Sequence, residues 1–183
     1  MTYPAMVENV ARARFLLNRV AWMEVVGING FNALMTASSV GSLEVARLLM
    51  ERGANVSAAR IGDGYTALMM ASHDGHLEIA QLLIEEGANV NAARTDDGAT
   101  ALIIASERGH LEIAQLLVEG GANVNTARTT DGWTALMWAS QNGHLEIVRF
   151  LLISGADKAA LSHDGWTAHS LCAAHPAIRA LLA

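Results

Sequence analysis

TALMMASHDGHLEIAQLLIEEGANVNAART, residues 66–95, is the stretch that decides the fold. The chain repeats it as TALIIASERGHLEIAQLLVEGGANVNTART at residues 100–129, and more loosely as TALMWASQNGHLEIVRFLLISGADKAAL from residue 134. Counted from Thr66 and from Thr100, 25 of the 34 aligned positions are identical, so the likeness is a true internal repeat. One such unit cannot bury its apolar face alone, and its neighbours must stack on it. The sequence therefore predicts a repeat array and argues against an enzyme.

The register of the repeat is marked by one position that recurs at spacings of 34, 34, 34 and 33 residues, namely Asn32, Thr66, Thr100, Thr134 and Thr167. Within the unit, the apolar periodicity predicts a short helix (66–72), a turn at Gly75 and a longer helix (76–86). Gly87 is expected to end the second helix in a left-handed conformation. An Asp-Gly pair then predicts a hairpin-like finger between units.

The pattern shared by the units, DGxTALxxASxxGHLEIxxLLxxxGANVNA, resembles the ankyrin repeat. The resemblance implies an all-α ankyrin-repeat solenoid of stacked helix-turn-helix units with projecting hairpin-like finger loops. It also implies binding of other proteins through the fingers and the short helices. The expected domains are an N-terminal half-repeat helical cap (1–26), four repeats (27–60, 61–94, 95–128 and 129–161) and a truncated C-terminal capping repeat (162–183).

Three features depart from the family's pattern, namely the opening of the repeat, the length of three fingers and the two degenerate ends. The usual Thr-Pro-Leu-His opening ends here in an apolar residue, at Met69, Ile103 and Met137. Three fingers are one residue longer than usual, in Ala-Ala-Arg or Thr-Ala-Arg segments whose Arg we take as the inserted position. At the N-terminus, Val20 stands where the other units have Gly, so that finger is expected to be distorted. At the C-terminus, Pro176 is expected to replace the Gly between the helices.

Composition and charge narrow the class of partner. A net charge of −6 argues against a nucleic-acid partner, which a basic stripe would attract. No apolar run reaches the roughly 18 residues that span a membrane, and Glu8, Arg12 and Arg14 do not suit a signal peptide. The single Cys172 excludes an internal disulfide and is expected to be buried. We expect a soluble cytoplasmic protein that is a monomer rather than a homo-oligomer.

The sequence does not indicate a catalytic or a metal-binding site. A histidine recurs in the turn of each unit, but neighbouring helices pack roughly 8–10 Å apart. Zinc needs its ligands at about 2 Å, so a structural contact at the start of the helix is expected instead for His76, His110 and His144. The chain has no HExxH or GxSxG motif, and its one Lys is not followed by the Ser or Thr of a phosphate loop. We expect no enzyme activity, no cofactor and no metal.

An arginine stands three residues before an aspartate in three successive fingers, at Arg60, Arg94 and Arg128. If the role is structural, each Arg pairs with an Asp of its own or a neighbouring finger, worth roughly 0–1 kcal/mol per exposed pair. If it is functional, the three guanidinium groups hold an acidic or extended partner. Both hypotheses stay open at this point.

Aromatic residues and sequence divergence mark a candidate binding surface. Aromatic rings recur just before the Thr position and once on a first helix, and binding hot spots are enriched in Trp, Tyr and Arg. The units diverge where the first helix ends, which leaves those positions free to suit a partner. The rings could instead pack on adjacent fingers and stiffen the array. The candidate protein-binding residues are Phe31, Tyr65, Met70, His73, Arg94, Arg108, Arg128, Trp133, Trp138 and Trp166.

The function expected from these features is non-catalytic binding of a partner protein through the concave face and the finger loops. One alternative is a structural or self-associating scaffold, or a fragment of a larger protein. A further alternative is an engineered ankyrin-type binder, which the near-identical repeats favour and the degenerate ends oppose.

Overall fold

The computed structural model describes residues 30–183, so the expected N-terminal cap (1–26) with Val20 lies outside the described residues. The chain divides into two compact units, Met1–Ala88 and Asn89–Ala183. Across residues 30–183 the regular elements are α-helices, and β-pairing is limited to isolated antiparallel bridges. This confirms the prediction of an all-α fold.

The first unit contains two helix pairs within its described residues. The helices are α1 (Ala33–Ser39), α2 (Leu43–Glu51), α3 (Ala67–Asp74) and α4 (Leu77–Glu85). The two members of each pair contact one another, and α1 also packs on α3 while α2 packs on α4. First helices therefore stack on first helices and second on second, as the repeat pattern predicts.

The second unit contains three helix pairs with the same order of contacts. They are α5 (Ala101–Arg108), α6 (Leu111–Glu119), α7 (Ala135–Asn142), α8 (Leu145–Ile153), α9 (Ala168–Leu171) and α10 (Pro176–Leu182). Contacts join α5 to α7 and α7 to α9 in one layer, and α6 to α8 and α8 to α10 in the other. The last pair is truncated mainly in its first helix, which has four residues.

The recurring Thr position is the N-cap of each first helix. Thr100 Oγ1 accepts a hydrogen bond from the backbone N–H of Ile103 at 3.4 Å, which satisfies a donor that the first turn leaves free. The helix ends at Gly109, whose φ of 86° is left-handed. First and second helices have eight and nine residues in this repeat, so the second is the longer, as predicted, but by less than the predicted bounds gave. The first helix extends to the left-handed Gly, and the second starts only after His110.

The core is built from small and branched apolar residues at equivalent positions. Leu83, Leu117 and Leu151 are fully buried in successive second helices. Ala80 and Ala114, also fully buried, precede them by three residues and let neighbouring helices approach closely. The uniform positions of the repeat are therefore the ones that stacking requires.

Asparagine side chains tie successive loops together in the second unit. Asn91 Nδ2 donates to the backbone oxygen of Gly121 at 2.9 Å, and Asn91 Oδ1 accepts from the N–H of Asn123 at 2.8 Å. Asn125 repeats both bonds with Gly155 and Asp157. The second Asn of the GANVN motif thus forms hydrogen bonds between repeats and not only within one.

The recurring histidines also act between repeats. His76 Nε2 donates to the backbone oxygen of Ser39 at 3.0 Å, and His144 Nε2 does the same to Glu107 at 3.0 Å. Both residues precede the first residue of a second helix. The expected structural role is confirmed for these two, and its physical basis is a bond to the preceding helix pair.

Pro176 does not replace the Gly between the helices, and that expectation was wrong. His175 Nε2 donates to the backbone oxygen of Gln141 at 3.1 Å, so His175 is the counterpart of His144. Pro176 is then the first residue of the last helix, where a missing N–H costs no hydrogen bond. Because α9 is truncated, fewer residues separate its N-cap from His175 than in the other repeats. Counting residues from the other repeats therefore misplaces the start of the last helix.

Candidate functional site

Each long finger is a hairpin closed by backbone hydrogen bonds. Arg128 N–H donates to the backbone oxygen of Trp133 at 2.9 Å, and Gly132 N–H donates back to the oxygen of Arg128 at 3.0 Å. An antiparallel bridge joins Ala127 to Thr134. The same bonds recur in the fingers that begin at Arg60 and Arg94. The finger predicted from the Asp-Gly pair is confirmed.

The last finger is one residue shorter and shows where the extra residue of the others lies. Ser162 N–H donates to the oxygen of Trp166 at 2.9 Å, as Arg128 N–H does to Trp133. Ser162 therefore occupies the place of the arginine. The extra residue of the long fingers lies after the arginine, in the turn, and is not the arginine itself.

In the first unit the finger arginine is engaged by its own neighbours. Arg60 pairs with Asp63 through two nitrogens, with Nε 2.8 Å from Oδ1. Asp63 Oδ1 also accepts from the backbone N–H of Tyr65 at 3.2 Å. The guanidinium carbon of Arg60 lies 4.5 Å from the ring centre of Phe31 and 5.4 Å from that of Tyr65. Two candidate aromatic residues are thus stacked against a guanidinium of the chain itself.

In the second unit the arginines and aspartates of two fingers form an ion ladder, which consists of Arg94, Asp97, Arg128 and Asp131. Arg94 Nε lies 3.4 Å from an Asp97 oxygen, and Arg128 lies 3.2 Å from the other oxygen of Asp97. Arg128 Nε is also 3.6 Å from Asp131, and Arg94 pairs with Asp96 as well. Each guanidinium has a carboxylate partner, as the structural hypothesis for these residues requires.

An aromatic–arginine cluster, formed by Arg128, Trp133 and Trp138, lies at the base of one finger. The rings of Trp133 and Trp138 are 4.6 Å apart and inclined by 51°. The Arg128 guanidinium lies 5.3 Å from the Trp138 ring. Both tryptophans are half-buried, and the Trp138 Nε1 proton has no hydrogen-bond acceptor among the residues described. The cluster combines ring surface with an indole N–H that no described residue accepts.

The Trp133–Trp138 contact was missed by the sequence analysis although a signal for it exists. Thr134 is the N-cap, so Trp133 precedes the cap and Trp138 is the fourth helical residue. An apolar pair at these two places forms a hydrophobic staple, which fixes the angle at which the chain enters a helix. Tyr65 and Met70 have the same spacing about the N-cap Thr66.

The candidate residues are divided between the two units. Phe31, Tyr65, Met70 and His73 belong to the first unit. The second unit contains the remaining six, which are Arg94, Arg108, Arg128, Trp133, Trp138 and Trp166. Arg128, Trp133 and Trp138 are brought into contact with one another. Met70 is buried, Arg108 is exposed at the end of α5, and Trp166 is 49% exposed.

The divergent positions at the ends of the first helices contact the preceding repeat. His73 Nδ1 donates to Asp74 at 2.7 Å, and Ser39 Oγ donates to the other oxygen of Asp74 at 2.8 Å. In the second unit Asn142 Nδ2 donates to the backbone oxygen of Glu107 at 2.9 Å. The expectation that divergence leaves these positions free for a partner was wrong for Asp74 and Asn142, because each matches its own neighbour.

Acid stability is expected to depend on Asp74. Partial burial raises the pKa of Asp74, but the hydrogen bonds from His73 and Ser39 lower it by more than burial raises it. The pKa of Asp74 therefore lies below its ordinary value of 3.8. The unfolded chain then binds more protons in acid, and the stabilisation, present above pH 3.8, is lost as the pH falls through the folded pKa. Asp74→Asn should remove this contribution. Urea denaturation of both proteins between pH 3 and 6 measures it, and a stability difference that does not grow with pH would contradict it.

Three further features bear on the class of site. No helix within residues 30–183 is long and apolar enough to cross a membrane. In the same part of the chain, no group of three or more His, Cys, Asp or Glu residues is placed to hold a metal ion. Cys172 is a free buried thiol whose pKa is raised by burial.

Comparison with protein families gives matches along almost all of the chain. A family model described as ankyrin repeats (3 copies) matches residues 56–128, 91–162 and 127–183. A second model, described as ankyrin repeat, matches residues 29–60. A comparison with curated proteins finds no match. The matched residues include every finger described above, while the expected bounds of the individual repeats stay a prediction.

Proposed function

The chain belongs to the ankyrin-repeat family, and from this premise we propose that it is a non-catalytic module that binds a partner protein. Ankyrin repeats are generally protein–protein interaction modules, so the class of partner follows from the family. In this family the first helices and fingers border the concave face. We propose the part of that surface formed within residues 89–183 as the contact site.

The observation that supports this site is the aromatic–arginine cluster. Trp and Arg are the residues that most often dominate binding energy, especially when a partner completes their burial. Trp133 and Trp138 are half-buried and still offer ring surface. The buried Nε1 of Trp138 has no acceptor among the described residues, and an unsatisfied buried donor costs about 1–3 kcal/mol. A partner that rearranges this edge and supplies an acceptor would recover part of that energy.

The cluster is also held in place before binding. The backbone N–H of Trp133 donates to Asp131 Oδ1 at 2.9 Å, and the ring of Trp133 packs against that of Trp138. Arg128 is held by Asp97 of the neighbouring finger. A surface that is ordered in the free protein loses less conformational entropy on binding, which favours affinity.

The remaining properties belong to the same proposal. We propose a monomeric cytoplasmic protein without enzyme activity or nucleic-acid partner. The negative net charge and the absence of catalytic sequence motifs support it, and the single free Cys172 suits a reducing compartment. A rise of molar mass with concentration in light scattering would instead favour the self-associating scaffold.

Capture of partners from a lysate of the source organism tests the proposal. Immobilised wild-type protein is compared with Trp133→Ala, which removes one half-buried ring of the cluster and none of the side chains of the ion ladder. We expect a partner that wild type retains and Trp133→Ala loses, with affinity reduced about 30-fold or more for a hot-spot tryptophan. Mass spectrometry identifies the captured protein.

A matched control separates loss of the site from loss of apolar surface. Ile153→Ala removes a side chain that is 87% exposed at the end of α8, in the same unit. We expect Ile153→Ala to capture the partner as wild type does, and both variants to unfold cooperatively. Equal capture by wild type and Trp133→Ala would exclude the cluster, and loss only in Ile153→Ala would place the site on the second helices.

A further inference from the structure

The first unit shows which group a finger of this chain holds. The guanidinium of Arg60 pairs with the carboxylate of Asp63 and stacks on the ring of Tyr65 in the same finger. It also lies 4.5 Å from the ring of Phe31, the corresponding residue of the preceding finger. A carboxylate beside two aromatic rings is therefore, in this chain, a receptor for a guanidinium group.

The last finger has the carboxylate and the ring but lacks the arginine. Its sequence is Ser-His-Asp-Gly-Trp, residues 162–166, with Ser162 at the place of the arginine. Ser162 Oγ accepts the backbone N–H of Trp166 at 2.9 Å, a bond that an aspartate makes in the long fingers. The carboxylate of Asp164 therefore has neither a hydrogen bond nor an ion pair within residues 30–183.

The face of this finger is also open. In the two preceding fingers a methyl group on the turn glycine would collide with the next finger, 2.8 Å from Thr129 for Gly98 and 2.8 Å from His163 for Gly132. At Gly165 it would meet no atom of the described chain within 4 Å. Trp166 is 49% exposed and has no ring or guanidinium against it in the part of the chain described. Carboxylate and ring are thus both accessible.

We propose that the last finger binds an arginine side chain of the partner protein. Asp164 would pair with the guanidinium, and Trp166 would stack on it as Tyr65 stacks on Arg60. Trp133, the counterpart of Phe31, supplies the second ring. This inference rests on the proposed function and deepens it, because it gives the chemistry of the segment that the partner inserts.

The charges of the second unit support a basic rather than an acidic partner. The guanidinium groups of Arg94 and Arg128 are already paired with aspartates, so they do not offer free positive charge. Asp164 adds a negative charge that no arginine of its own finger balances. Arginine fits better than lysine because its planar fork can stack on a ring and pair with a carboxylate at once.

The probe is the capped tripeptide acetyl-Gly-Arg-Gly-amide, titrated into the full ¹⁵N-labelled chain at pH 7.5. The chain has four tryptophans, so its indole N–H signals are few and can be assigned with single Trp→Phe variants. We expect chemical-shift changes of the Trp166 and Trp133 signals that saturate with a millimolar dissociation constant. The lysine peptide should shift them less, and the citrulline peptide, which has the same shape without the charge, should not shift them.

Two variants test the assignment of the carboxylate. Asp164→Asn should weaken binding of the arginine peptide about two- to fivefold, the range for an exposed ion pair. Glu119→Gln, the same charge change at the end of α6, should leave it unchanged. Ser162→Arg would supply the guanidinium from within the finger and block the peptide. Asp164→Asn keeps the test decisive if the buried Ser162 tolerates no larger residue.

Equal shifts with the arginine and citrulline peptides, or full binding by Asp164→Asn, would overturn the inference. Shifts of Trp166 on dilution of the protein alone would also overturn it, by assigning the finger to a second copy of the chain. The two proposals can fail separately. If the lysate partner depends on Trp133 but no arginine peptide binds, only this inference falls.

Discussion

Replacing Leu117 with alanine is expected to lower the free energy of unfolding by about 3–5 kcal/mol. Leu117 is fully buried in α6, a second helix that packs on α8. Truncation removes apolar contact and leaves a cavity that the surrounding close-packed helices can close only in part. Urea denaturation followed by circular dichroism measures the loss.

Leu116→Ala is the matched control for this prediction. The two leucines are adjacent in the same helix, but Leu116 is only half-buried. We expect its truncation to have less than half the effect of Leu117→Ala. Equal effects would mean that the packing of α6 differs from the one described.

Gly109→Ala is expected to destabilise the protein by about 2–4 kcal/mol, for two separable reasons. A left-handed φ of 86° costs an alanine roughly 1–2 kcal/mol. The added methyl group would also lie 2.6 Å from the His144 ring. The ring would have to move, and its hydrogen bond to the backbone oxygen of Glu107 would be lost. Thermal and urea unfolding report the sum.

The two reasons can be separated within the same unit. Gly121 has a φ of 90° and no atom within 4 Å of the added methyl group, so Gly121→Ala should show only the conformational part. In a His144→Ala background, Gly109→Ala should cost about 1–2 kcal/mol less than in wild type, because the collision is gone. Additive effects of the two substitutions would show that His144 does not constrain Gly109.

Much of the fold was predictable because its determinants are local and repeat. The Thr N-caps, the left-handed glycines and the apolar spacing of the second helices each follow from residues a few positions apart. The helix bounds were less accurate, since Gly75 lets α3 continue to Asp74 before it turns. The position of Pro176 could not be found by counting residues, because the shortened α9 changes the register between two helices.

The candidate site was harder to predict because its chemistry depends on partners far apart in sequence. The sequence places Asp97 three residues after Arg94, and this pairing was foreseen. The contact of Asp97 with Arg128, 31 residues later, makes the ion ladder continuous and neutralises the second arginine. That contact favours the structural hypothesis for the arginines, because they pair with the chain's own aspartates.

The divergent turn positions show the same limit. Asp74 suits Ser39, and Asn142 suits the backbone of Glu107, so each choice is matched to a neighbour about 35 residues away. Sequence comparison of the repeats reveals the divergence but not its partner. By contrast, the Trp133–Trp138 pair could have been found, because a residue before the N-cap and the fourth helical residue are local neighbours.

Amide hydrogen exchange of the complex with the captured partner tests the central claim most directly. The claim is that this ankyrin-repeat protein binds through the aromatic–arginine cluster and the finger that carries it. We predict slower exchange on binding in peptides covering residues 128–138, and unchanged exchange across α8 at residues 145–153. Protection confined to residues 145–153, with none at 128–138, would contradict the account.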